Sequence, residues 1–164
     1  MSLFEDLLGR PPATEEVPIV LDRAAHTAAQ RRLDAAAQAL QLAVERGEFD
    51  TAAERAEVQA ARLALAEVPR RMVTVQALIP ARWQELVDEH PAPPGSDAMW
   101  DVKSFRPAVL AECVVPPDDE PRISVAQWRQ IEVTQALSAG ELNALFVAAV
   151  NLNASVPRVS LGKG

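Results

Sequence analysis

Val73-Thr74-Val75-Gln76-Ala77-Leu78-Ile79 is the stretch on which the fold turns. Its β-branched residues and partial alternation make it the one credible strand in the chain. A single strand has nothing obvious to pair with here. It reads as an extended connector, or as an edge that pairs with another subunit, with helices on both sides. The expected fold class is therefore all-α: an N-terminal antiparallel helical hairpin plus a small four-helix C-terminal domain, with at most one short strand-like connector at 73–79.

Before the connector, residues 21–72 read as the hairpin. Leu33, Ala37, Leu40 and Val44 follow a 4-3-4 spacing, the seam of a coiled coil. Gly47 breaks the pattern, Thr51 and Glu54 have capping-box spacing, and a second helix carries Ala53, Ala56, Ala60, Leu63 and Ala64 until Pro69 disturbs its end. Alanine at so many contacts buries little area, so the pair calls for a partner surface. Its charges balance, with eight basic and eight acidic residues. Residues 1–20 are a tail with a short amphipathic segment. Leu3, Phe4, Leu7 and Leu8 fall on one helical face, ahead of a linker containing Pro11, Pro12 and Pro18. So short a helix is unstable alone; it is either a frayed tail or a peptide that orders by docking in a groove.

After the connector, prolines and capping boxes divide a helical domain at 80–156, ahead of a flexible tail at 157–164. Pro80 starts a helix through Trp83, Leu86 and Val87 to Glu89, stopped by His90-Pro91. A helix from about Phe105 to Val114 stops at Pro116-Pro117. Ser124 with Gln127, and Ser138 with Glu141, start two more. Trp83, Trp100, Phe105, Trp128 and Phe146 are the large apolar groups. Trp128 and Phe146 are expected in one cluster, and an exposed ring would mark an interface.

Composition narrows the function. The chain has 164 residues, with a net charge of −7 and thirty alanines. That acidity opposes non-specific nucleic-acid binding, and no apolar run reaches the roughly 18 residues of a membrane span. The N-terminus has acids where a signal peptide has bases, so a cytoplasmic setting is expected. His26, His90 and Cys113 are too scattered for a metal site or a nucleophile–base pair. Asp118-Asp119-Glu120 lacks the alternating ligands of a calcium loop, and there is no glycine-rich phosphate loop. The expectation is a non-enzyme with no catalytic residue, no cofactor and no metal.

One resemblance gives this expectation a direction. Leu78-Ile79-Pro80-Ala81-Arg82-Trp83-Gln84-Glu85-Leu86, Glu89-His90-Pro91 and Phe105-Arg106-Pro107-Ala108-Val109-Leu110-Ala111 belong to its pattern. So do Trp128, Leu137-Ser138-Ala139-Gly140-Glu141-Leu142, and Phe146 through Val150-Asn151. Over about 73–156 the chain resembles the tail assembly chaperones of long-tailed (siphovirus-type) actinobacterial phages. The resemblance implies a factor in the host cytoplasm, absent from the mature virion, that binds the tape-measure protein and recruits major tail protein; the weakly packed hairpin and the short tail peptide add the expectation of self-association or client binding through residues 1–72. The candidate partner-binding residues are Leu3, Phe4, Leu7, Leu8, Leu33, Leu40, Val44, Leu63, Trp83 and Trp100. Many such phages also make a longer form by programmed frameshifting, and Leu161-Gly162-Lys163-Gly164 fits the unshifted reading of one slippery heptamer. The alternative is a structural or adaptor subunit, of a virion or bacterial complex, whose hairpin is an assembly interface.

Overall fold

Thr14–Val20 is a strand, β1, with Val17 and Ile19 buried at alternate positions. It pairs with β2, Arg70–Gln76, which pairs in turn with the two-residue β3, Val114–Val115. The β2–β3 pair is antiparallel, with Thr74 opposite Val115 and Val75 opposite Val114. This overturns the all-α expectation and the solitary connector: six helices accompany a three-stranded antiparallel sheet among the described residues. The structure, a computed structural model, describes Glu5 and residues 9–154. Leu3, Phe4, Leu7, Leu8 and the 161–164 tetrapeptide lie outside them.

The sheet escaped the sequence reading for physical reasons. Pro18 ordinarily demotes a run to loop, because proline cannot donate to a ladder. Here the Ala77 N–H donates to the Ala13 carbonyl at 2.8 Å, and the Leu21 N–H to the Pro69 carbonyl at 3.0 Å. Alternation between these bonds turns the odd-numbered residues of β1 toward β2, so the N–H that Pro18 lacks would have pointed away from the ladder. β3 is too short to show any period.

The chain forms two compact units, residues 18–71 and the residues on either side of them. In the first, α1 (Arg23–Glu45) and α2 (Ala52–Ala66) make an antiparallel pair. Asp22 caps α1, its carboxylate accepting the Ala25 N–H at 2.9 Å. Gly47, at φ +72°, takes the left-handed conformation that lets the chain leave α1. Ala36, Val58 and Ala61 form the core, with Leu33 and Leu40 packed against it. The seam on α1 is therefore Leu33, Ala36, Leu40 and Ala43, while Ala37 and Val44 face outward. On α2, Val58 and Ala61 are buried where Ala53, Ala56 and Leu63 were expected. Thr51 makes no side-chain cap; the Asp50 carboxylate takes the Ala52 N–H instead, at 3.0 Å.

In the second unit, α3 (Pro80–Glu89), α5 (Val125–Val133) and α6 (Ala139–Ala154) all pack on α4 (Val102–Cys113). Asp101 caps α4, so the helix starts before Phe105 and carries Pro107 inside it, buried. The central position of α4 explains its burial: Phe105, Val109, Leu110 and Cys113 have no exposed surface. Both capping boxes form. Ser124 and Gln127 bond reciprocally at the start of α5, and the Ser138 hydroxyl donates to Glu141 at 2.7 Å before α6. No ring contact joins Trp128 to Phe146 among the described residues. Phe146 joins the rings around Phe105, 6.1 Å away, while Trp128 is buried on α5 with its indole N–H unpaired.

Candidate partner-binding surfaces

The hairpin separates the candidates expected on it. Leu33 and Leu40 are half-buried and pack against its own core. Val44 and Leu63 are 58% and 57% exposed, so they are available to a partner. Leu42 and Phe49 join them outside, Phe49 fully exposed in the turn between the helices. Across the pair, the Arg32 guanidinium grips the Glu57 carboxylate with two hydrogen bonds, at 2.8 and 3.2 Å. This ion pair holds the Glu57 carboxyl below its ordinary range and Arg32 above its own.

Trp83 and Trp100 are not isolated surface rings. Trp100 stacks on the buried Phe105 at 4.5 Å between centroids, 27° from parallel. Trp83 meets Phe105 edge-on at 5.5 Å and Trp100 at 6.2 Å, and Phe146 meets Trp100 at 6.5 Å. The His90 ring lies 6.0 Å from Phe105. Offset and edge-on contacts of this kind are favourable because ring faces are negative and ring edges positive. Both tryptophans are half-buried, one side in the core and the other at the surface. Met99, Val102 and Val147 are exposed in the same unit.

A cleft of about 410 Å³ opens between residues 76–79, the start of α3 and the end of α4. Its charges are paired internally. Arg82 holds Glu112 through Nε at 2.9 Å and Nη2 at 2.5 Å, and reaches Glu85 at 3.0 Å and Glu89 at 3.3 Å. These carboxylates, Glu112 foremost, hold the guanidinium charged well above its ordinary range. Arg122 donates to the Glu112 carbonyl at 2.7 Å. A guanidinium so held is a clamp between α3 and α4, not a proton carrier. Nearby, burial pushes the Cys113 thiol up to about 11, against a weaker pull from Asn153. Such a thiol packs as a small apolar group. Among the described residues no three His, Cys, Asp or Glu converge on a metal position, and no helix is long and apolar enough to cross a membrane.

What this arrangement does chemically is present apolar surface. The sequence reading missed Leu42, Phe49, Met99 and Val147. Phe49 was legible in retrospect, since Gly47 places it in a turn where a ring has no helix face to bury. Comparison with known proteins adds nothing further: no protein-family model, curated protein or solved structure matches the chain.

Proposed function

We propose that the protein is a tail assembly chaperone of the phage type it resembles, a non-enzymatic factor that binds the tape-measure protein and promotes tail-tube assembly. It acts in the host cytoplasm, recruits major tail protein, self-associates, and is not kept in the mature virion. The observation that carries this reading is the outer side of the hairpin. Val44, Phe49 and Leu63 are exposed there although alanine alone fills much of the core beneath. Apolar groups held outward on a charge-balanced scaffold suit a client with apolar helical faces. Near-zero net charge on residues 18–71 makes that contact only weakly salt-dependent.

Co-expression tests it. The tape-measure protein should stay soluble and co-purify with the full chain, and should aggregate when Val44, Phe49 and Leu63 are replaced together by aspartate. A tape-measure protein equally soluble with the triple variant overturns the reading. Abundant peptides from this chain in purified virions would favour a structural subunit instead.

A further inference from the structure

Helix α6, AGELNALFVAAVNLNA, has one ionisable residue, Glu141, in sixteen. Leu142, Leu145, Ala148 and Ala149 are buried and use up one stripe of it. Continuing round the helix at about 100° per residue come Phe146, Val150 and then Val147. Phe146 and Val150 are half-buried and Val147 is exposed. A surface helix normally turns charge outward at such positions; this one presents these apolar groups there with the uncharged, exposed Asn143 between Val150 and Val147. Through the Phe146–Trp100 ring contact, 6.5 Å between centroids, this surface reaches Trp100. Trp100 is backed by Phe105 and followed along the chain by the exposed Val102; Met99 before it is 74% exposed.

The unit that carries this surface is acidic. Residues 72–154 contain eleven Asp and Glu against five Lys and Arg. Arg82 pairs with Glu112, Glu85 and Glu89, and Arg106 with Glu132, and the net charge of the stretch is −6. An acidic partner would meet uncompensated repulsion, while a cationic one is drawn in and oriented. We propose that the face formed by Val147, Val150, Phe146, Trp100 and Met99 docks a basic amphipathic helix of a partner protein. The helix lays its apolar stripe along α6, and its lysine or arginine flanks are attracted by the net negative charge of the unit. The proposal rests on the protein being a binder of helical clients, and it adds a second contact, of opposite salt behaviour to the hairpin.

The probe is a fluorescein-labelled helical peptide of about 18 residues with a leucine stripe and lysine flanks, beside a twin with glutamate flanks. Anisotropy with the full chain should show saturable binding of the lysine peptide, about tenfold tighter than that of its twin. Raising sodium chloride from about 50 to about 300 mM should weaken binding severalfold. Met99→Asp and Val147→Asp, both at exposed positions, should each weaken binding roughly tenfold with an unchanged circular dichroism spectrum. Each adds negative charge, so a merely electrostatic association would tighten instead. Equal binding of the twins, no saturable binding of the lysine peptide, or tightening in either variant overturns the proposal. Val133→Asp, at a position 83% exposed on α5 and outside this face, should not weaken peptide binding, and equal weakening there overturns the proposal. Because the client solubility assay reads Val44, Phe49 and Leu63, failure of the chaperone reading and failure of this docking face are separately visible.

Discussion

Cys113 ends α4 without any exposed surface, and burial holds its thiol at about 11 rather than the ordinary 9.0. Between those values the unfolded chain has lost the proton and the native one keeps it. The native state then binds more protons, so stability falls as pH rises above about 9. Denaturant titrations at pH 7, 9 and 10.5 should show that fall, and Cys113→Ala should flatten it. At pH 8 the native thiol should resist an aromatic disulfide reagent that reacts promptly in denaturant. The apolar neighbours in Ala111-Glu112-Cys113-Val114-Val115 made this burial readable from sequence. The ring cluster was only half readable. Residue type marked Trp83, Trp100, Phe105 and Phe146 as core material, but which ring lies at the centre follows from long-range packing. Phe105 is that centre, touching Trp83, Trp100, His90 and Phe146. Phe105→Ala should cost about 3–5 kcal/mol in chemical denaturation, and Trp128→Ala a similar amount.

At the level of elements, the hairpin shows where an apolar pattern loses information. A seam drawn through Leu33, Ala37, Leu40 and Val44 keeps both leucines, yet it mislays the positions between them because alanines fill 35, 36 and 37 alike. Only packing separates Ala36 and Ala43, buried, from Ala37, exposed. Ala43→Leu should therefore overpack the helix pair and destabilise it by about 1–3 kcal/mol, whereas Ala37→Leu should change stability by less than about 0.5 kcal/mol. A seam through Ala37 requires the reverse order, so thermal melts of the two variants decide between them. Local chemistry was more informative. The boxes at Ser124 and Ser138 and the proline at the start of α3 act within a turn of the chain, and they form where their spacing says. The Thr51 box failed because Thr51 is buried and Asp50 supplies the cap instead.

Over the whole molecule, β1 and its pairing with β2 are what the sequence hid, and they change how the chain can be divided. A cut at residue 73 removes both Val17, a buried member of β1, and the first residues of β2. Such a fragment exposes one side of the ladder and should fold poorly. The ladder offers a better cut, because the Leu21 N–H donates to the Pro69 carbonyl at 3.0 Å. Strands that close can be joined by a two-residue Asn-Gly turn, whose backbone twist matches theirs. A chain with residues 20–70 replaced by Asn-Gly, which joins Ile19 to Arg71 in the same register with an N–H on each, should keep the sheet and all four helices packed on one another around α4. Its near-ultraviolet circular dichroism, dominated by Trp83, Trp100 and Trp128, should match that of the full chain, while the 73–164 fragment loses the signal. The shortened chain should still bind the lysine-flanked peptide, since Met99, Trp100 and α6 are intact, and should fail to keep the tape-measure protein soluble, since Val44, Phe49 and Leu63 are gone. If it solubilises the client as well as the full chain does, the helical hairpin is a spacer between two strands and the whole binding function belongs to the acidic unit.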